Sequence, residues 1–537
     1  MNPTSTSPSH LRPRLPTRWT RSGRWRRHSG ADPGISIRDP PQPLPVAAEL
    51  TRALDKVGVR YGVIQDSAGL QKGLAGLDDI DLLVEKADHG TFCAVVAGLN
   101  GIRGVSLACY DNVCAGREDW FIPDFTHGKY LHLDVHIGLR VGWGFRKRYL
   151  LRPDAFLCQW ERVKIGDVNI PVATPDTELR RAITRFAFGS WTPPWKSWLA
   201  LCGLGGLFSR IILASEENQH RSDEILLTCY GPAICRIRRE DNTLLVHRGD
   251  LRKLRRRIRS ECGFRGPTIT DCTVHLVRKT TYLMLRLVQR LAPHSIAPKR
   301  RPANGGLVVA LVGPDGVGKS TQVDRLVKAF QWKFGCVKSY AGTGDGKGWW
   351  TRKLAMKLIA PHKHHLKSAI AHKGSSGALR NWTSFVSTAG LAFWGLLIAV
   401  ERYAMVRRAH RSATRGLIVI CDRWPQSLQR GYLDGPVIPT SADHADHLPV
   451  IKLLARLERT LYRRMQEMRP HLTLHLVSDY SVSERRKPGG IRKEAFDARL
   501  SLMAELRRID PEIKIVDASE SMETVFCNLF RHVWLFL

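Results

Sequence analysis

The amino-acid sequence predicts an α/β protein, and three features of its second half carry the prediction. The run Leu307–Val312 is apolar and largely β-branched, which is typical of a strand buried on both faces of a parallel sheet. A glycine-rich turn and a helical pattern follow this run directly. Further strand and helix patterns then alternate along the rest of this half, and such alternation favours a parallel sheet flanked by helices.

The other strands and helices of the second half follow from the same patterns. Short apolar runs predict four more strands, and longer amphipathic stretches predict two further helices. In chain order these elements are a strand Cys336–Tyr340, a strand Leu417–Cys421, a helix Leu453–Met468, a strand Leu472–Val477, a helix Ala495–Arg508 and a strand Ile513–Val516.

Length, charge and cysteine usage set the general class of protein. A chain of 537 residues exceeds a single core and predicts about two to four domains. Its 83 basic and 49 acidic residues give a formal charge of +34, which attracts nucleotides, nucleic acid or an acidic membrane surface without choosing among them. The twelve cysteines form no C-x-x-C pair, which favours reduced thiols and a cytoplasmic location over a disulfide framework or a zinc site.

Changes in composition divide the chain into five segments. Residues 1–45 are rich in Pro, Ser and Arg and predict a disordered basic tail, with a transit peptide as the alternative and no secretory signal. A first folded domain is predicted over 46–191, and a basic, mainly helical extension over 192–291. A Pro- and Gly-rich linker is predicted over 292–306, and it leads into the second domain, 307–537.

The glycine-rich turn matches the phosphate-binding pattern G-x-x-x-x-G-K-[ST]. Its glycines allow a tight turn whose amide groups point at phosphate oxygens, Lys319 adds a positive charge, and Ser320 can hold Mg²⁺. A helix predicted over Thr321–Phe330 presents its positive dipole end to the same anion. We therefore expect a nucleoside triphosphate here, the alternative being a Gly-rich turn with a solvated lysine. The residues predicted to bind it are Gly313, Asp315, Gly316, Val317, Gly318, Lys319, Ser320 and Thr321.

Two further stretches of the second half carry residues suited to phosphate chemistry. Asp422 and Arg423 follow a predicted strand, at the edge where ligands of parallel sheets bind. There Asp422 could hold Mg²⁺ through water or accept a proton, and Arg423 could neutralise a phosphoryl group. The basic segment 484–493 is either a solvated face or a lid that closes over phosphates, because Pro488, Gly489 and Gly490 make it flexible.

The second half resembles thymidylate kinase over nearly its whole length. The matching stretches are GPDGVGKST, VICDRW and RPHLTLHLVSDYSVSERRKP. The resemblance implies a P-loop kinase that transfers the γ-phosphoryl group of ATP to a nucleoside monophosphate, with Lys319 and Ser320 holding ATP·Mg and Asp422 and Arg423 serving the acceptor side. The lid would supply the positive charge that stabilises the transition state. The arginines that could do so are Arg485, Arg486 and Arg492.

The acceptor-binding stretches depart from that family. The chain reads Tyr340-Ala341-Gly342-Thr343-Gly344 and Arg430-Gly431-Tyr432 where thymidylate kinases carry Arg-Glu-Pro-Gly-Gly and Ala-Tyr-Gln. The small-molecule phosphate acceptor is therefore open between a nucleoside monophosphate and a sugar or sugar phosphate of polysaccharide biosynthesis. A non-catalytic, ATP-regulated or membrane-associated protein is the remaining alternative. A homodimer is compatible with the sequence, and nucleic acid is not the expected partner.

In the first domain, three carboxylates predict a metal site. Asp79 and Asp81 would face the same side of a strand within Leu77–Glu85, and Asp134 lies on a second predicted strand, Tyr130–Ile137. Carboxylates on adjacent strands are what two Mg²⁺ ions about 4 Å apart require. The alternative is an acidic edge with a structural role.

The stretches YGVIQDSAGL, LDDIDLLV, LDVHIGL and PVATPDTELRRAI resemble nucleotidyltransferase-like domains associated with bacterial polysaccharide biosynthesis. This resemblance covers about 46–191 and implies an α+β domain in which Asp79, Asp81 and Asp134 bind metal. The chain departs from the superfamily at Ser67-Ala68-Gly69, where a Gly-Ser or Gly-Gly pair usually holds the triphosphate.

Membrane contact is the last alternative that the sequence raises. Phe385–Val400 is the most hydrophobic stretch, but its sixteen residues fall short of the ~20 that span a bilayer, which favours a buried helix. Leu251–Arg259 and Val277–Leu291 interleave apolar and basic residues at helical spacing. They predict either helices that close the first domain or helices that lie on anionic lipid.

Overall fold

The computed structural model describes part of the chain. The described residues are 41–65, 67–105, 116–137, 139–141, 149–151, 160–174, 177, 208–212, 237–240, 243–247, 276–277, 280–281, 283–284, 287–288, 300–340, 377–430, 433–438, 449–490 and 492–537. The predictions made for the tail at 1–40, for most of 192–299, and for the acceptor stretches at 341–344 and 431–432 lie outside these residues.

Mixed sheets dominate the first half of the chain. The strands are β1 (Tyr61–Val63), β2 (Asp79–Val84), β3 (Ile102–Val105), β4 (Arg117–Asp124), β5 (Lys129–Ile137), β6 (Leu139–Val141), β7 (Tyr149–Leu151), β8 (Trp160–Ile165) and β9 (Val168–Ala173). Seven of these strands belong to one large sheet in the order β3-β4-β5-β2-β1-β9-β8. The β2–β5 and β1–β9 pairs are parallel, whereas β6 and β7 form a separate antiparallel pair.

Three helices cover one face of the large sheet. They are α1 (Pro45–Lys56), α2 (Ser67–Leu74) and α3 (His89–Gly98). Leu131, Leu133 and Val135 alternate along β5 and lie in the same buried cluster as Leu54 of α1 and Phe92 of α3. The period-2 pattern of β5 therefore turns its apolar side chains to the helices and its polar ones to the opposite face.

The predicted helical extension, 192–291, contains strands that the sequence analysis missed. They are β10 (Phe208–Ile212), β11 (Ile237–Glu240) and β12 (Thr243–His247), and they form an antiparallel sheet in the order β10-β12-β11. Each strand is only four or five residues long, and so short a run of apolar and polar residues cannot be told from one turn of an amphipathic helix. Among the described residues, this segment is therefore not purely helical.

A five-stranded parallel sheet forms the second half, as predicted. After the short β13 (Arg301–Pro302), the strands are β14 (Leu307–Val312), β15 (Cys336–Tyr340), β16 (Ile418–Asp422), β17 (Leu472–Val477) and β18 (Lys514–Asp517). Their order is β15-β16-β14-β17-β18, and every neighbouring pair is parallel. Val309 and Leu311 face one apolar cluster while Val308 and Ala310 face another, so the central strand is buried on both faces.

Among the described residues, six helices accompany the parallel sheet. They are α4 (Lys319–Gln331), α5 (Gly377–Thr414), α6 (Pro449–Glu467), α7 (Tyr480–Arg486), α8 (Lys493–Ile509) and α9 (Met522–Leu535). The apolar stretch Phe385–Val400 lies within the 38-residue α5. Where the chain is described, none of its helices combines the length and the apolarity needed to cross a bilayer.

The two large sheets share a core. Phe121 and Tyr130 of the first sheet lie in one buried cluster with the aromatic residues of α4 and α9. The ring centroids of Phe121 and Phe334 are 4.5 Å apart, and those of Tyr130 and Trp534 are 5.2 Å apart. The Trp534 indole also donates to the carbonyl oxygen of Asn100 at 2.9 Å. The described residues from Pro41 onward accordingly pack as one unit.

Part of the predicted linker belongs to this shared structure. β13 pairs with β3 and becomes the edge strand of the first sheet, which then has eight strands. Just before β13, the Arg300 Nε lies 2.8 Å from the carboxylate of Asp119. Asp119 is buried, with 2% of its surface exposed. Proline and glycine predict a connection here, but local composition carries no information about a partner strand elsewhere in the chain. The domain boundaries themselves stay predictions.

Candidate functional site

The predicted phosphate loop joins β14 to α4. Gly313, Gly316 and Gly318 have positive φ angles of 145°, 92° and 92°, a region that glycine enters without steric cost. A Cβ on Gly313 would lie 2.5 Å from the carbonyl oxygen of Leu476, so the loop also needs glycine for close contact with β17. The helix that begins at Lys319 directs its free N-terminal amides toward this loop, an arrangement that favours anions.

Lys319 is buried inside the loop. Its side chain is 5% exposed, and its Nζ donates hydrogen bonds to the carbonyl oxygens of Gly313 at 2.9 Å and Pro314 at 2.6 Å. Burial, together with the positive charge of Arg423, lowers the pKa of Lys319 to about 8. Backbone carbonyls therefore hold the ammonium group in the loop, and the Asp315 carboxylate lies 3.9 Å from it. A phosphate bound in the loop would add negative charge beside this buried ammonium group.

Ser320 and Asp422 meet at the end of β16. The Ser320 hydroxyl donates to Asp422 Oδ2 at 2.6 Å, because β16 pairs in parallel with β14 and brings Asp422 level with Leu311. Asp422 is 1% exposed, and its Oδ1 has no hydrogen-bond partner among the described atoms. A buried carboxylate oxygen with spare acceptor capacity, beside a hydroxyl, fits a hard cation such as Mg²⁺.

Asp315 is the centre of an arginine pair above the loop. Its Oδ1 accepts from Arg423 at 2.7 Å and its Oδ2 accepts from Arg499 at 2.6 Å. Burial would raise the pKa of Asp315, but the charge of Arg423 and the hydrogen bond from Arg499 lower it to about 2. The carboxylate thus positions two guanidinium groups next to the phosphate loop.

A second carboxylate supports Arg423 from the other side. The Asp434 Oδ2 lies 3.6 Å from an Arg423 nitrogen, while Asp434 Oδ1 accepts from the buried Arg402 at 2.7 Å. Arg402 also donates to the Asp434 carbonyl oxygen at 2.9 Å. Arg423 and Asp434 have positive φ angles of 77° and 62°, which non-glycine residues adopt at a cost and which often occur at functional sites.

The three arginines predicted to act from the lid lie in different environments. Arg486 donates to the carbonyl oxygen of Ala518 at 2.8 Å, whereas Arg485 and Arg492 are exposed. Arg486 also donates to the carbonyl oxygen of Val317 in the loop, at 3.5 Å. Arg499, seven residues beyond Arg492, reaches the loop through Asp315. The sequence analysis missed it, because its partner Asp315 lies 184 residues away and local spacing within the helix does not point to the loop.

A cavity of about 220 Å³ lies beside the loop. Gly313, Arg423 and Asp434 border its polar part, and Trp424 forms part of its wall. Met503, Leu506 and Ile509 of α8 contribute apolar lining. Mostly apolar walls with a few converging polar groups are typical of small-molecule sites.

The predicted acidic site of the first domain is partly assembled. Asp81 on β2 lies directly opposite Asp134 on β5, and the ligand atoms of Asp81, Asp134 and His136 lie within 4.8 Å of one another. Asp79 is on the same face of β2 but is not in this group. Both oxygens of Asp134 accept hydrogen bonds from Arg117, so a metal ion there would have to displace Arg117.

A lysine from the second half contributes to the electrostatics of that acidic face. Burial would raise the pKa of Asp79, but a hydrogen bond with Asp78 and the charge of Lys333 hold it well below its usual range. Lys333 follows α4 directly, and its backbone N–H donates to the Tyr130 hydroxyl of β5 at 3.2 Å. The phosphate-loop helix therefore ends against the acidic strands.

The parallel sheet, its phosphate loop and the acidic end of β16 together define a P-loop α/β protein. Comparison with known sequences agrees: the chain belongs to the family of the ATP-binding protein YghR of Escherichia coli K12. The two are 30% identical over 217 residues, which make up 39% of this chain and 80% of YghR. YghS of the same organism, also called an ATP-binding protein, is 28% identical over 210 residues, or 38% of this chain and 80% of YghS.

Two other comparisons gave less. A solved structure of thymidylate kinase from Candida albicans is 18% identical and covers 43% of this chain and 91% of its own, with a TM-score of 0.26. No protein-family model matches the chain.

Proposed function

We propose that this protein is an ATP-dependent phosphotransferase that transfers the γ-phosphoryl group of ATP to a small-molecule acceptor. The observation that carries the proposal is the contact of the Ser320 hydroxyl with the buried Asp422 carboxylate, beside Lys319 in the loop. A protein that only bound ATP would have no need of the Asp315–Arg423–Arg499 group next to that contact. The relative YghR is named an ATP-binding protein, and this supports the choice of nucleotide.

The proposed roles follow from charge and position. Loop amides and Lys319 bind the phosphates, and Arg423 and Arg499 stabilise the charge of the transferring group. An acceptor oxygen forms a bond to the γ-phosphorus while the bond from that phosphorus to the β–γ bridging oxygen breaks, leaving ADP. Ser320 and Asp422 would hold Mg²⁺, which supplies neutralising charge between the phosphates when bound.

The acceptor is proposed to bind in the 220 Å³ cavity. Its size favours a small molecule, the Trp424 ring offers a flat apolar wall, and Arg423 lies where the cavity borders the loop. Among small molecules, a nucleoside monophosphate is the first candidate acceptor, because the sequence resembles thymidylate kinase. A sugar or sugar phosphate is the second.

A single panel experiment tests the function. Purified protein would receive ATP·Mg with nucleoside monophosphates, sugars and sugar phosphates, and ADP formation that depends on the acceptor would be followed. We expect one class to be phosphorylated, and we expect Lys319→Ala to abolish the reaction. Tight ATP binding without transfer to any acceptor class would support the non-catalytic alternative instead.

The register of Asp81 against Asp134 favours a second candidate function, nucleotidyl transfer by the first domain. In this proposal the acidic face binds a nucleoside triphosphate. An acceptor oxygen forms a bond to the α-phosphorus while the bond from that phosphorus to the α–β bridging oxygen breaks, which releases pyrophosphate. The test is pyrophosphate release with Mg²⁺ or Mn²⁺ and a panel of sugar phosphates as acceptors, in wild-type protein and in the Asp79→Asn and Asp81→Asn variants. A rate that neither substitution changes would exclude this face from the chemistry.

A further inference from the structure

A group of three potential metal ligands lies away from both sites described above, between α3 and β4. His89 and Cys93 are four residues apart on α3, so their side chains share one face of the helix. Glu118 of β4 points at them from the sheet. The ligand atoms of all three lie within 4.8 Å of one another.

Two of the three distances between these atoms match those expected around one zinc ion. Zn–N and Zn–O bonds of about 2.0 Å and a Zn–S bond of about 2.3 Å, at tetrahedral angles, place N and O roughly 3.3 Å apart and N and S roughly 3.5 Å apart. His89 Nε2 lies 3.2 Å from Glu118 Oε2 and 3.4 Å from Cys93 Sγ. The third pair, Cys93 and Glu118, lies within 4.8 Å, so the group is compact enough to surround one ion.

The carboxylate of this group is already oriented by its neighbours. The Trp120 indole donates to Glu118 Oε2 at 2.9 Å and orients the carboxylate. An Arg103 nitrogen lies 2.9 Å from Glu118 Oε1, where its positive charge opposes a bound cation. Partners that orient a ligating carboxylate are a regular feature of metal sites. The side chain of Glu118 is 12% exposed and that of His89 is 28% exposed, so the group is sheltered but open to solvent on one side.

We propose that His89, Cys93 and Glu118 bind one Zn²⁺ ion, with water as the fourth ligand. Nitrogen, thiolate and carboxylate together suit zinc better than Mg²⁺ or Ca²⁺, which prefer oxygen ligands alone. The ion would tie α3 to β4, two elements that are otherwise held together by apolar packing in the shared cluster around Phe92. The site would thus stabilise the face of the sheet that faces away from Asp81 and Asp134.

The experiment uses the full chain, stripped of metal and titrated with Zn²⁺ and with Co²⁺ as a spectroscopic substitute. Because the chain has twelve cysteines and twenty histidines, the readout is the difference between wild type and variants. Wild type should show a thiolate-to-cobalt charge-transfer band and should bind one more equivalent of zinc than Cys93→Ser. The half-buried Cys527, at another place in the fold, provides the matched control, and Cys527→Ser should behave as wild type.

A second variant tests the proposal independently, in case the Cys93→Ser protein does not fold. Arg103 is half-exposed, and its guanidinium competes with a cation for Glu118. Arg103→Gln should therefore tighten zinc binding severalfold, which a purely structural hydrogen-bond cluster would not do. Unchanged zinc stoichiometry and an unchanged cobalt spectrum in Cys93→Ser would overturn the proposal. So would an Arg103→Gln protein that binds zinc no better than wild type.

Discussion

The Tyr130 hydroxyl donates a hydrogen bond to the Ala329 carbonyl oxygen at 3.2 Å and accepts one from the Lys333 backbone N–H, also at 3.2 Å. One phenol thereby joins a strand of the first sheet to the end of the helix that begins at the phosphate loop. Tyr130 is 1% exposed, so water cannot replace either bond.

Tyr130→Phe should lower the free energy of unfolding by about 1–2 kcal/mol, because a buried N–H loses its acceptor while the ring stays packed. Urea denaturation would measure the change. Tyr403→Phe is the control, since the Tyr403 hydroxyl enters no hydrogen bond within the described part of the chain, and its loss should change stability by less than about 0.5 kcal/mol. Equal effects of the two substitutions would contradict the joining role of Tyr130.

Gly316→Ala should be more harmful than Gly489→Ala. Both glycines have positive φ angles, 92° and 65°, so both substitutions introduce backbone strain of about 1 kcal/mol. At Gly316, however, the new Cβ would lie 2.9 Å from the carbonyl oxygen of Ser483, whereas at Gly489 it would meet open space. We expect the additional cost to displace α7 and to weaken ATP binding in the first variant alone, as measured by calorimetric titration.

ATP affinity should fall as the pH rises above about 8. The pKa of Lys319 in the free protein is lowered to about 8, and phosphate binding requires the charged ammonium. Above that pH the free lysine must first take up a proton, so the Kd for ATP should rise about tenfold between pH 7 and pH 9. Lys319→Arg carries a guanidinium that stays charged, and its pH profile should be flat over this range. A flat profile in wild type would remove Lys319 from the phosphate site.

Asp422→Asn should separate nucleotide binding from turnover. The amide keeps an oxygen that can accept from Ser320 but loses the charge that would hold Mg²⁺, so we expect phosphoryl transfer to fall at least about 100-fold. Binding of Mg²⁺-free ATP should stay unchanged. Asp517, the exposed last residue of β18 in the same sheet, is the control, and Asp517→Asn should keep the wild-type rate.

The parts of the fold that local sequence determines were predicted well. β14, β15 and β17 have the predicted bounds, because each is a short apolar run flanked by turn residues or helices. The phosphate loop was recognisable because glycine, lysine and serine must occur at fixed spacing to surround phosphate. β16 is shifted by one residue from its predicted bounds, so Asp422 is the last residue of the strand.

What the sequence analysis missed depends on partners far apart in the chain. Arg499 lies 184 residues from Asp315, and no local pattern records that α8 crosses the loop. The same holds for β13, whose two residues become a strand only because β3 offers an edge. The sequence analysis also did not predict the contact of Arg117 with Asp134. That contact depends on the pairing of β4 with β5, which brings the two residues close together.

The aromatic residues shared by the two sheets have a consequence for how such a gene can change. A fission between the halves would give one product with Phe121 and Tyr130 uncovered and another with Phe334 and Trp534 uncovered. Each product would carry a patch prone to self-association. We therefore expect a phosphate-loop half produced alone to stay monomeric only when polar residues replace Phe334 and Trp534.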